Sequence, residues 1–200
     1  VTRTQWASVT AVVLALLFAG AATVASAGPE PGQVAPAADS ADAGFARDMS
    51  VHHQQAVEMS FIVRDRTKDE EVRRLAYDIA NTQANQRGMM LGWLDMWGLP
   101  KVAPGVEPMA WMGMPSHGAM PGMASPEDLD RLRAASGRQA EVLYLRLMTE
   151  HHKGGVHMAQ GCVERCRPGA ERDLAQGMVD AQESEILLMA DLLKARGAKP

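Results

Sequence analysis

The chain predicts an all-α protein, an antiparallel four-helix bundle assembled from two duplicated helical hairpins. The first observation behind this is a motif stated twice. Residues 48–60 read DMSVHHQQAVEMS and residues 147–160 read LMTEHHKGGVHMAQ, so Met, His-His and Met recur at one spacing, and the two His-His pairs account for four of the six histidines. The second is the register that this motif sets. The offset from His52 to His151 also pairs Asp42 with Glu141, Phe45 with Tyr144, Leu75 with Leu174, Gln83 with Gln182, Met90 with Met189 and Gly98 with Gly197, with no gap. The third is periodicity: apolar residues recur at three- and four-residue steps, and no strand-like alternation or hairpin dipeptide competes.

Taken in order, residues 1–27 read as a signal peptide. Arg3 supplies a basic start, Val9–Ala22 an apolar stretch, and Ala25-Ser26-Ala27 a small-residue cleavage site. The alternative is an uncleaved membrane anchor, since the apolar run from Trp6 is just long enough to span. Residues 28–41, GPEPGQVAPAADSA, have the composition of a flexible linker. Residues 42–98 form the first hairpin. Ser40 or Asp42 caps its first helix, and Phe45, Met49, His52, His53, Ala56, Met59 and Val63 share one face. The polar run Arg64–Asp69 ends that helix. The second carries Leu75, Ile79, Gln83, Gln86, Met90, Trp93 and Trp97, and stops at Gly98 and Pro100. Residues 99–135 are a Met-rich crossover plus a short helix with Ser125 as cap and Pro126 at its first position. Residues 136–197 repeat the hairpin, with Ser136 before it and Arg167-Pro168-Gly169 at its turn. Short intra-hairpin loops make each helix pair antiparallel.

A formal charge of −4 with no basic block argues against a nucleic-acid partner. Two cysteines make no disulfide framework, so packing must hold the core. Glu-x-x-His, His-Glu-x-x-His, Gly-x-Ser-x-Gly and phosphate loops are all absent from the sequence, and no enzymatic activity is expected. The expected location is secreted or periplasmic, with membrane contact only through the N-terminal segment if it stays uncleaved.

On a helical wheel Met49 falls between His52 and His53, and the duplicate places Met148 with His151 and His152 in the same way. Facing helices would bring these imidazoles together with Met59 and Met158, and imidazole with thioether is a soft-to-borderline metal donor set. The alternative is that the histidines are seam residues hydrogen-bonded to Gln83, Gln86, Gln182 and Glu185, with Met as adaptable core filler. Between residues 109 and 123 the crossover reads MAWMGMPSHGAMPGM. Met109, Met112, Met114, Met120 and Met123 with His117 are candidates for Cu(I) or Ag(I) capture, since no core for them to fill is evident. The alternative is an apolar flap anchored by Trp111. Cys162 and Cys166 suit either a disulfide or a thiolate pair extending the soft site beside His157 and Met158. Asp42 and Glu141 read either as ligands or as helix N-terminal carboxylates.

The motifs HHQQAVEM and HHKGGVHMA, the lead-in MPGMASPEDLDRL and the stretch AQESEILLM together resemble the secreted bacterial domain of unknown function 305 family, over nearly everything from Asp42 to Gly197. The resemblance implies a ferritin-like four-helix bundle and, for some members, copper binding outside the cytoplasm with a role in copper or silver tolerance. Carried over, the implied ligands are Met49, His52, His53, Met59, Met148, His151, His152 and Met158. Two departures stand out: Glu58 corresponds to His157, and Gln83-x-x-Gln86 corresponds to Gln182-x-x-Glu185. The expected function is therefore binding and buffering of copper ions, Cu(I) or Cu(II), or of silver. A structural or protein-interaction bundle is the alternative, and a ferritin-like metal oxidase the third reading.

Overall fold

Five α-helices and one 3-10 turn make up the structure, a computed structural model that describes residues 34–199 apart from His117. The expected signal peptide and most of the linker lie outside the described residues. The five helices described all belong to one unit. Helix α1 (Ala41–Arg66) starts at Ser40, whose hydroxyl accepts the Ala43 N–H at 3.2 Å. Asp42 in its first turn and Arg64 and Arg66 in its last complement the helix dipole. Three residues later α2 (Glu70–Met96) opens on Asp69, whose carboxylate accepts the Val72 N–H at 3.0 Å. Helix α3 (Pro126–Ala134) begins with a reciprocal capping box between Ser125 and Asp128. Helix α4 (Gly137–Arg165) comes almost at once; Ser136 holds the capping position, but its hydroxyl makes no capping bond. Helix α5 (Ala170–Ala195) completes the set. Moved along by the His52–His151 offset, α1 and α2 coincide with α4 and α5 to within three residues.

Close backbone packing runs within each hairpin, α1 on α2 and α4 on α5, and between hairpins through α1 and α4. Two apolar clusters result. One gathers Phe45, Met49, Met90, Leu94, Met158, Cys162 and Met178. The other gathers Met59, Val63, Leu75, Ile79, Tyr144, Leu145, Met148, Met189 and Leu193. Each fully buried side chain of this size contributes about 1.5–3 kcal/mol. Across the hairpin seam, Ser60 and Tyr144 share a hydrogen bond of 3.0 Å.

The crossover corrects one expectation. Met109, Met112 and Met120 have a core to fill, because they are buried in the first cluster beside Met49 and Met158. A 3-10 turn at Ala110–Met112, not foreseen from the Gly- and Pro-rich sequence, carries Met109 and Met112 at its start and end. Trp111 packs edge-on against Phe45 with ring centroids 5.8 Å apart. Asp48 accepts the Met109 N–H at 2.8 Å and the Trp111 Nε1–H at 2.9 Å. Further on, Gln55 grips Ala124 through both backbone groups, at 2.9 and 2.7 Å. The crossover is thus a strap tied down along α1.

Asp42 and Glu141, considered as ligands, are instead ion-paired at opposite ends of the bundle. Glu141 accepts from Thr67 Oγ1 at 2.5 Å and Arg196 Nε at 2.7 Å, while Arg196 also reaches Asp69 at 2.8 Å. Asp42 accepts from Arg167 Nε at 3.1 Å.

Candidate metal centre

Between the two apolar clusters lies a layer of four histidines. His52, His53, His151 and His152 are all fully buried. The first two stand on α1 and the others on α4, where the two helices cross. The rings of His52 and His151 lie 3.7 Å apart by centroid, and those of His151 and His152 6.3 Å apart. Met49 and Met158 flank the layer on one side, Met59 and Met148 on the other.

Each ring is held by its Nε2. His52 meets the Pro121 carbonyl at 3.1 Å, His53 the Gln86 Oε1 at 2.8 Å, His151 the His52 carbonyl at 3.0 Å, and His152 the Glu185 carboxylate at 2.7 Å. All four partners are acceptors, so each Nε2 must carry the proton and donate it. In the neutral form of each ring the lone pair then sits on Nδ1. All four Nδ1 atoms are buried without a partner. The hydrogen-bonded seam expected as the alternative is therefore present for Gln86 and Glu185. Gln83 and Gln182 make no such bond and keep their own Oε1 atoms unpaired.

Burial, the largest influence, favours the neutral ring in three of them, His52, His53 and His151. It holds His53 down at about 3 and His52 at about 4, with the neighbouring His52 and His152 adding repulsion. His151 lies well below the usual histidine range, from burial first and then from the other three rings. A neutral imidazole with a free lone pair is what a metal ligand requires. Among the described residues, however, no three His, Cys, Asp or Glu side chains converge into a cluster sized for an ion. Holding one calls for the rings to turn.

The remaining candidates divide. His157 is exposed on the outer face of α4, and Met114 is also exposed. Neither is brought to the layer, because the helical period points His157 away from His151 and His152. Met123 is partly buried against the first cluster. His117 lies outside the described residues. Cys162 and Cys166 form a disulfide with Cα atoms 4.8 Å apart, so they are not a free thiolate pair. Three residues that matter here carried no signal of their own: Gln55, Pro121 and Gly154. Pro121-Gly122 crosses α4 so closely that a Cβ on Gly154 would overlap the Pro121 carbonyl, and one on Gly122 would overlap the Glu150 carbonyl. The clue was a mismatch between the two copies, HHQQ against HHKG: Gln55 ties the strap down where Gly154 lets it pass.

Fold and site together define a class of all-α proteins whose paired helices seal a histidine layer between methionine clusters. The chain belongs to the Domain of unknown function (DUF305) family, whose profile matches residues 42–193. A DUF305 protein from Streptomyces coelicolor, assigned by its name to the secreted proteins, is 73% identical. Its crystal structure superposes with a TM-score of 0.78, covering 82% of this chain and 98% of that one. A DUF305 fragment from Deinococcus radiodurans is 32% identical with a TM-score of 0.65, covering 78% and 96%. CopM in a Cu(II)-bound form is 25% identical with a TM-score of 0.59, covering 78% and 97%. The same protein is known in an Ag-bound form, 26% identical at a TM-score of 0.55, covering 77% and 96%. No curated protein gives a significant match. Among the described residues, no helix is long and apolar enough to cross a membrane.

Proposed function

We propose that the protein binds copper or silver ions as cargo outside the cytoplasm, without turning them over. The two duplicated motifs supply the ligands: His52, His53, His151 and His152 through Nδ1, with Met49, Met59, Met148 and Met158 as thioether donors. The observation that carries this reading is the set of four fully buried imidazoles whose Nδ1 atoms all lack a partner. One unpaired buried nitrogen is an ordinary cost of packing; four in one layer between methionines form a donor set of the right softness. The copper- and silver-bound forms of CopM support the choice of ion. Met109, Met112 and Met120, buried beside Met49 and Met158, extend the thioether supply.

The test is metal content and thermal unfolding of the purified protein with Cu(I), Cu(II), Ag(I) and Zn(II). An ion present at one hundred times its Kd adds about 2.7 kcal/mol, which raises the melting temperature of a domain this size by about 5–10 °C. Replacing the four histidines by Ala should abolish both stoichiometric binding and the shift. An unchanged affinity in that variant, or no response to any ion, defeats the reading. Turnover in an Fe(II) or Cu(I) oxidation assay would instead favour an oxidase.

A further inference from the structure

The four imidazoles are fully buried, so an ion held among them must pass a wall, and the walls are unlike. His53 is closed off by Gln86 on α2, His152 by Glu185 on α5, and His151 by the His52 carbonyl on α1. Those partners all belong to long helices of the bundle. Of the four rings, His52 alone is closed off by the strap, through the Pro121 carbonyl. Pro121 and Gly122 are themselves only half-buried. A single thickness of chain therefore separates the layer from solvent here, and Gly122 lies against the backbone of Glu150 and His151.

This segment is held by its own contacts. Met120 is buried and Met123 packs against the same cluster. Gln55 accepts the Ala124 N–H at 2.7 Å and donates to the Ala124 carbonyl at 2.9 Å. The second copy has no such clasp, because Gly154 takes the register position of Gln55. Lifting residues 120–124 thus requires no hydrogen bond between two bundle helices to break. It takes the acceptor away from His52 Nε2 and leaves that ring free to turn, the movement that coordination calls for. Swinging Gln86 or Glu185 aside would instead expose an Nε2–H, which repels a cation. The lifted segment also carries two thioethers, Met120 and Met123, which suit a soft ion. Resting on the copper- and silver-binding reading above, we propose that residues 120–124 are a lid on the histidine layer. Gln55 is its latch, and a soft monovalent ion enters and leaves when the lid opens.

The lid is closed in both the empty and the loaded protein, so a weaker latch speeds entry and exit by one factor and leaves affinity unchanged. The test loads the full-length protein with Cu(I) and removes it anaerobically with excess bathocuproine disulfonate, following the coloured complex at saturating chelator. Gln55→Ala cuts two hydrogen bonds of ordinary strength and should raise the release rate by about tenfold or more, at unaltered Cu(I) affinity. Gln55→Glu keeps the shape and loses one bond, and should give a smaller increase. Thr67→Val cuts the buried bond to Glu141 at the end of the bundle, and should leave release as it was. Hydrogen exchange over residues 120–124 reports lid opening in each variant. Release that stays constant while this exchange accelerates would overturn the lid, as would equal acceleration in Thr67→Val or a changed affinity in Gln55→Ala. A parent protein that binds no Cu(I) would instead defeat the reading of the layer itself, and the lid with it.

Discussion

A histidine buried as deeply as His52 or His53 makes the fold sensitive to acid. Their imidazoles titrate at about 4 and about 3 in the folded protein but near 6.5 in an unfolded chain. Between these values the unfolded state binds more protons, so stability falls as pH drops from about 6.5 towards 4. Each histidine contributes about 1.4 kcal/mol per pH unit in that window. Urea titrations at pH 7 and pH 4.5 should therefore differ by several kcal/mol, and His53→Gln should flatten the difference; a pH-independent midpoint would contradict it. The adjacent pairs and their flanking methionines were legible in the sequence, because a repeated motif on one helical face is a local pattern. The partners of the rings were only half legible. Gln86 and Glu185 are given by the register, but Pro121 is a backbone carbonyl 69 residues from His52, and no side-chain pattern announces a carbonyl.

The strap is held by a few bonds that can be cut singly. Asp48→Ala leaves the Met109 and Trp111 N–H groups without their acceptor, at a cost of about 2 kcal/mol. Met109 is the only non-glycine residue with positive φ among the described residues, at 65°, and sits between that acceptor and the 3-10 turn. Its amide should lose its protection against hydrogen exchange in Asp48→Ala before those of α1 do. Gly154→Ala acts where the strap crosses α4, backbone against backbone, and little can yield. It should cost about 1–3 kcal/mol and lift residues 120–123 from α4, seen as faster proteolysis there at unchanged helix content. Helices of this length were readable from period and caps. The strap was not, because methionines among Gly and Pro have no period, and only the groove they fill shows that they belong to the core.

Across the molecule, the two ends of the bundle have diverged. Where Glu141 is satisfied by Thr67 and Arg196, the opposite end has Asp42 with Arg167 and a second buried acid, Glu171, whose two oxygens are unpaired. Burial, then the charge of Asp42, pushes Glu171 up to about 9. The folded state therefore holds a proton that the unfolded chain releases near its ordinary 4.3, and stability declines as pH rises from about 4.5 to 9. Glu171→Gln should remove that decline and raise the melting temperature at pH 8 more than at pH 5; equal shifts at both would be incompatible with a protonated carboxyl. The overall hairpin order was legible because one offset aligned 42–98 with 141–197. This end effect was not, since it arises where the copies differ: Val72 holds the register position of Glu171.

Glu185 is the one carboxylate hydrogen-bonded to the histidine layer among the described residues, and its counterpart on α2 is the neutral Gln86. On the proposed reading, that inequality has a consequence for which ions the layer would keep. Imidazoles that ligate a metal are neutral, so with one carboxylate the ligand set would carry a single negative charge, which a monovalent ion balances. A divalent ion leaves one positive charge stranded between apolar clusters, where an uncompensated charge is expensive. Valence, as well as donor softness, would then sort Ag(I) and Cu(I) from Zn(II), and Gln86→Glu should move the preference towards divalent ions in competition titrations.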